Sequence, residues 1–196
     1  RVHVERRDRP QIDDFDRNAV CLDHFGRLQR DRHLRAIADD GHVAALPRDP
    51  RLAQLAAKAD AAVVLMHNRE TIDPTIDIVA DMLAFLEGSL KLALDAGIPR
   101  ARIALDPGIG FGKTLEQNLQ ALAAVSKLKA LGCAVLVGAS RKSMIGKIIP
   151  SETDERVPGT IALHTAAILK GADIVRVHDV KEAVQAARVA DRLRDL

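Results

Sequence analysis

The sequence predicts an α/β protein built from parallel (β/α) units of the TIM-barrel type, and three observations point there. Short apolar runs alternate with helical stretches from Asp49 onward, the pattern of a parallel sheet with right-handed crossovers. Three of those runs end on chemistry-bearing residues: Leu105-Asp106, Val137-Gly138 leading into Ala139-Ser140-Arg141-Lys142, and Arg176-Val177-His178-Asp179. In parallel α/β proteins ligands bind at the C-terminal strand ends, so these residues fall where a pocket forms. Finally, 196 residues fall short of the roughly 250 of a complete eight-unit barrel, which argues for fewer units.

In chain order, Ala61 to Met66 reads as a first apolar strand. Asp73-Pro74 then reads as N-cap and first helical residue, with Ile78, Val79, Met82, Leu83, Phe85, Leu86 and Leu90 at helical spacing until Gly97. Arg102 to Leu105 is the next strand, carrying Asp106 at its end. It is followed by the glycine-rich loop Pro107-Gly108-Ile109-Gly110-Phe111-Gly112-Lys113. Thr114 and Gln117 form a capping box for a helix through Leu131. Ala134 to Val137 is a strand, and Ser140 to Pro158 is long and polar enough for a mobile loop. Thr160 to Lys170 is helical and Ile174 to Val177 is the last strand. Asp179 with Glu182 makes a second capping signature for a closing helix through Leu193. Asp49 to Leu196 thus divides into four β/α units.

The first 48 residues differ in kind. All ten of their basic residues are arginine and four of the seven histidines lie among them, whereas Asp49 to Leu196 holds ten Arg and nine Lys. Ala19 to Leu22 or His42 to Leu46 could pair as strands, but no sustained amphipathic period appears. Residues 1–48 are therefore expected to form an atypical segment, poorly ordered or loosely helical, preceding a (β/α) unit at 49–196. The chain opens on Arg1, and the composition changes abruptly before Pro47-Arg48-Asp49-Pro50. Both features lead to the expectation that the front derives from another reading frame or a misjoined segment.

Composition excludes several classes. A net charge of +2, no Trp, no Tyr and four Phe offer neither the field nor the stacking platforms for nucleic acid. No window reaches the 18 or so apolar residues of a membrane span. Cys21 and Cys133 lack metal-ligand spacing and read as unpaired thiols, which with no signal-like start predicts a cytoplasmic protein.

Asp106 at a strand end, with Lys142, Arg176 and His178 from neighbouring strand ends, suits a ligand with a polar heterocycle and an anionic tail. Arg176 and His178, two apart, would share one face of the strand. His67 and His164 read as structural histidines. The run Gly112-Lys113-Thr114 invites a nucleotide-binding P-loop, but that motif needs glycine where Pro107 stands, so the phosphate cradle falls a residue short.

Five segments resemble dihydropteroate synthase in that family's order: Leu65-Met66-His67, Leu105 to Lys113, Val137 to Ser143, Glu155-Arg156-Val157-Pro158-Gly159-Thr160, and Arg176 to Asp179. The resemblance covers Asp49 to Leu196 and looks like the second half of a (β/α)₈ barrel. It implies a transferase of folate biosynthesis that condenses 6-hydroxymethyl-7,8-dihydropterin diphosphate with 4-aminobenzoate to give 7,8-dihydropteroate and diphosphate, with Mg2+ accompanying the diphosphate. Asp106 then hydrogen-bonds the pterin ring, Lys142 contacts ring oxygen and nitrogen, and Arg176 and His178 lie near ring and diphosphate. Ser140 and Arg141 sit beside the aminobenzoate, and Met66, Phe111 and Gly138 complete the substrate-binding set. The family motifs of the first four strands, including the Asn run that helps hold the metal, are absent from residues 1–48, so the metal ligands stay unassigned. An open four-stranded sheet leaves two edges and an uncovered inner face, which predicts either an inactive half barrel or pairing into a homodimer.

Overall fold

The computed structural model describes Ala19–Cys21 and residues 50–196. The expectations for the rest of 1–48, including the His42 to Leu46 strand and the thiol of Cys21, lie outside the described residues. Five strands form one sheet: β1 (Ala19–Cys21), β2 (Val63–Met66), β3 (Ile103–Asp106), β4 (Ala134–Val137) and β5 (Ile174–Arg176), in the order β1-β5-β4-β3-β2. The four later strands are parallel, while β1 lies antiparallel along β5, with Val20 opposite Val175. Ala19–Cys21 therefore does pair as a strand.

Seven helices complete the described part: α1 (Pro50–Lys58), α2 (Ile78–Asp95), α3 (Leu115–Ala123), α4 (Val125–Lys129), α5 (Ser143–Ile148), α6 (Val157–Leu169) and α7 (Val180–Arg194). The alternation expected from the sequence is present as four successive β/α units, and α1 precedes the first of them. Strand side chains alternate between faces. Val63, Leu65, Ile103, Leu105, Val135 and Val137 join Met82, Leu86, Leu90, Leu122, Val125 and Leu128 from α2, α3 and α4 in one buried core. Ile168 of α6 and Ala183, Ala187 and Ala190 of α7 cover Val175. The opposite face carries Ala104, Ala134, Leu136 and Ile174, with Val64 beside them.

Local structure departs from the sequence expectation at four places. Helix α2 begins at Ile78, not at Pro74. Asp77 caps it by accepting hydrogen bonds from the Val79 and Ala80 amides, while Asp73 closes a turn through the Thr75 amide and hydroxyl. The Asp73 carbonyl accepts a 2.6 Å hydrogen bond from Gln117 Nε2, which ties that turn to α3. The capping box of Thr114 and Gln117 forms as expected, but the helix is interrupted at Ala124 and resumes as α4. The link after Ser140 contains α5 and a short 3₁₀ turn at Asp154–Arg156, so it is not an irregular loop. Asp179 stands at the start of α7 but makes no side-chain cap, because its carboxylate is engaged elsewhere.

Candidate active site

The alternation that sends Ile103 and Leu105 to the helices sends Ala104 and Asp106 to the other face. The same count places Met66 on β2 opposite Asp106, in a register that pairs the two residues. On β4 and β5, Leu136 pairs with Ile174 and Val137 with Val175. One step further, Gly138 lies beside Arg176, and a Cβ on Gly138 would sit 3.3 Å from the Arg176 guanidinium. Met66 and Asp106 thus share one register row, and Gly138 and Arg176 lie two residues further along the same face, all at the C-terminal edge of the sheet.

Asp106 is 4 % exposed, and its Oδ1 accepts a 2.7 Å hydrogen bond from the Gly108 amide. Burial pushes its carboxyl above the usual carboxylate range. The Gly108 N–H and the positive charges of Arg176, Lys113 and Lys142 oppose that shift. The bond depends on a tight turn: Gly108 has φ +66°, and a Cβ there would overlap the His67 carbonyl oxygen. Asn118, buried on α3, steadies the loop, with Oδ1 accepting from the Gly110 amide at 2.6 Å and Nδ2 donating to the Lys113 and Thr114 carbonyls.

Lys113 is 5 % exposed. Its ammonium donates to the carbonyls of Gly108 at 2.8 Å and Phe111 at 3.1 Å, with His67 O at 3.4 Å. Burial lowers its pKa to about 8, with Asp106 pulling the other way. The Gly-Lys-Thr run therefore builds no phosphate cradle, since the lysine is turned to loop carbonyls. Behind it, His67 Nε2 lies 3.0 Å from Asp81 Oδ2, which also accepts from Arg69 at 2.9 Å. His67 is a buried support of the loop, its pKa lowered to about 4 chiefly by burial.

The segment after β4 brings the second group of charges. Lys142 Nζ lies 4.4 Å from the centroid of the Phe111 ring, in range of a cation–π contact, and Gly110 leaves room for its stem. Burial first, then Arg176, lower the Lys142 pKa, and Asp106 opposes them. Ser140 Oγ accepts from the His178 amide at 3.1 Å and lies 2.8 Å from His178 Nδ1. Arg141 has φ +55°, a left-handed backbone rare for a side chain of its size. Its guanidinium grips Asp179 through Nη2–Oδ1 at 2.5 Å and Nε–Oδ2 at 3.1 Å, which holds the Asp179 carboxyl below the usual range. Its amide donates to Thr160 Oγ1 at 2.9 Å, and two residues earlier the Ala139 amide donates to His164 Nε2 at 3.1 Å.

The structure therefore gathers Met66, Asp106, Phe111, Gly138, Lys142 and Arg176 around one spot. It sets Ser140 and His178 together at the rim and turns the Arg141 side chain to Asp179. Sequence reasoning gave no role to Lys113, Asn118 or Thr160 and read His164 only as structural. Lys113 was visible as the lysine of the near-miss nucleotide motif. Thr160 closed the family-like segment Glu155 to Thr160 without a role of its own, and Asn118 and His164 left no signal, because their partners are backbone atoms fixed by the fold. One buried carboxylate ringed by cations can hold a planar heterocycle by its N–H groups while the excess positive charge attracts an anionic substituent. Among the described residues no three His, Cys, Asp or Glu side chains come together to hold a metal ion. Among the same residues no helix is long and apolar enough to cross a membrane.

Comparison with known proteins gives the family. The family model for pterin binding enzyme matches residues 38–178. The chain is 44% identical over 145 residues to a dihydropteroate synthase of Clostridium beijerinckii, covering 74% of this chain and 54% of that protein. It is 42% identical over 145 residues to the Bacillus subtilis enzyme of that name, covering 74% and 50%. The chain thus spans about half the length of these curated relatives. A solved dihydropteroate synthase from Clostridium difficile, in the presence of pteroic acid, superposes with a TM-score of 0.73 at 43% identity, covering 77% of this chain and 57% of that one. One from Xanthomonas albilineans with 4-aminobenzoic acid gives 0.73 at 39% identity, covering 79% and 56%.

Proposed function

We propose a function from a settled premise: the chain belongs to the pterin binding enzyme family. On our reading it supplies the pterin-binding half of a dihydropteroate synthase of folate biosynthesis. The reaction joins 6-hydroxymethyl-7,8-dihydropterin diphosphate to 4-aminobenzoate. Relatives solved with pteroic acid or 4-aminobenzoic acid support this choice of ligands. The observation that carries the reading is Asp106, buried at a strand end and facing Arg176, Lys113 and Lys142.

In the step proposed, the aniline nitrogen attacks the pterin methylene. The carbon–oxygen bond to diphosphate breaks with its electron pair, and the nitrogen gives up a proton. Positive charge builds on the heterocycle as the leaving group departs, and a site lowers the barrier by interactions that strengthen with that charge. Asp106 accepts hydrogen bonds from ring N–H groups and favours the developing cation. Lys142 holds the ring against Phe111, and Arg176 draws the departing anion. Met66 and Gly138 bound the ring, His178 stands with Arg176 near ring and diphosphate, and Ser140 and Arg141 edge the aminobenzoate side. The aniline is already nucleophilic, so no strong general base is required.

Magnesium was expected from the resemblance, but the described residues do not assemble a metal site, so no step is routed through the ion. A cytoplasmic setting and a homodimer remain part of the proposal, and light scattering of the purified chain tests the second. The span of about half of each curated relative favours one other reading, a half barrel that binds pterin without turning over. Calorimetry with 6-hydroxymethylpterin and an assay of diphosphate release on the purified chain separate them. Binding with release supports the synthase, binding without release supports the inactive half barrel, and absence of both refutes the proposal.

A further inference from the structure

Helix α6 carries none of the charges described above, yet it makes two unusual bonds to the segment that carries Arg141 and Lys142. Thr160 and His164 stand four residues apart, on one face of the helix, and are 1 % and 2 % exposed. Thr160 Oγ1 accepts the amide of Arg141 and His164 Nε2 accepts the amide of Ala139. The two acceptors therefore straddle Ser140. The helix is brought in closely, for a Cβ on Gly159 would press on the Ile145 side chain of α5.

The turn they grip closes on a single long backbone bond of its own, from the Lys142 amide to the Ala139 carbonyl at 3.4 Å. Arg141 sits at φ +55°, and a strained residue of this kind persists only where its surroundings over-determine it. Its amide is held by Thr160, its carbonyl by Arg156 Nη1 at 3.2 Å, and its side chain by Asp179. The direction in which Ser140 points to His178 and the direction in which Lys142 leaves toward Phe111 both follow from that conformation.

His164 is also a poor choice for stability alone. A backbone amide is the donor, so Nε2 must be the unprotonated nitrogen, and Nδ1 must carry the proton. That Nδ1 is buried without a hydrogen-bond partner. An apolar residue would remove that orphan and leave the Ala139 amide orphaned instead, so the exchange is close to balanced for the fold. What the imidazole adds is the fixed position of the amide.

We infer that Thr160 and His164 are positioning residues of the pterin site, a two-point clamp on the Ala139–Arg141 backbone that aims Ser140 at His178 and Lys142 over Phe111. The inference rests on the pterin reading for its ligand but not for its geometry. The test compares the full chain with His164→Leu, His164→Gln, Thr160→Val and Thr160→Ser in three measurements: amide hydrogen exchange without ligand, calorimetric affinity for 6-hydroxymethylpterin, and thermal midpoint.

His164→Leu is expected to speed exchange at Ala139 at least tenfold and to weaken pterin binding about tenfold while the midpoint moves little. Thr160→Val is expected to do the same with Arg141 the exposed amide. His164→Gln and Thr160→Ser, which keep an acceptor, should restore both readouts. Unchanged exchange in Leu and Val variants overturns the clamp. Affinity that survives the opened amides overturns its role in the site, as does a loss that follows the midpoint and is not rescued by Gln or Ser. If a Leu or Val variant does not fold, its Gln or Ser counterpart and the other position decide by the same criteria. A wild-type chain that binds no pterin removes the functional reading, and the ligand-free exchange then supports or overturns the clamp by itself.

Discussion

Acidification should destabilise this protein through His164, and the size of the effect follows from its burial. The imidazole is 2 % exposed, and burial lowers its pKa from 6.5 to about 4. Between those values the unfolded chain binds a proton that the folded chain refuses, so stability is complete above about pH 6.5 and falls as pH drops toward 4. At pH 5 the two binding curves differ by about 2 kcal/mol for this residue, against almost nothing at pH 7.5. His67 has the same direction and a similar value. Asp106 works in the opposite sense, because its raised carboxyl gains relative to the unfolded chain as pH falls. The lowered carboxyls of Asp73, Asp81 and Asp179 titrate below the window. Urea unfolding of the wild type and of His164→Leu at both pH values removes these shared terms by subtraction. The variant should gain about 2 kcal/mol relative to the wild type on going from pH 7.5 to pH 5. A difference between the two proteins that does not change with pH would refute the neutral, buried acceptor assigned to His164.

Three further outcomes follow from the site. Asp106→Asn should lower pterin affinity by tenfold to a hundredfold, roughly 1.5–3 kcal/mol for a lost charge-assisted hydrogen bond. It should not lower the thermal midpoint, because the burial cost of the carboxylate goes with it; calorimetry and a melt read both. Gly108→Ala combines a left-handed φ with overlap on the His67 carbonyl, so a loss above about 2 kcal/mol is expected in urea titration. Lys113→Met leaves the Gly108 and Phe111 carbonyls unpaired in a buried loop, and should cost about 2–4 kcal/mol in the same measurement. An unaltered midpoint in either variant would contradict the loop described.

What the sequence disclosed was governed by near neighbours. The apolar run Ile103-Ala104-Leu105 ending on Asp106 is a property of four consecutive residues, and it placed the carboxylate at the C-terminal end of a strand, where it lies. The capping box of Thr114 and Gln117 closes within one turn, and it formed. Asp73 and Asp179 had equal local claims to cap helices, yet the Asp73 carboxylate closes a turn on Thr75, and the Asp179 carboxylate is taken by the distant Arg141. The second competition is settled by tertiary contact. Lys113 and His164 mark the same limit from the other side. Their partners are carbonyls and an amide, which nearly every residue possesses, so no residue type along the chain announces which groups they bind.

The three-residue strand β1 gives the sheet two unlike margins. On one side its antiparallel contact with β5 takes up the peptide groups to which a further parallel strand would attach. On the other, Val63–Met66 is the terminal strand of the order. Any fragment or second molecule that extends the parallel array must add beside Val63–Met66 or first pry Ala19–Cys21 away. Adding a further parallel strand is thus a displacement reaction at one border and a simple addition at the other.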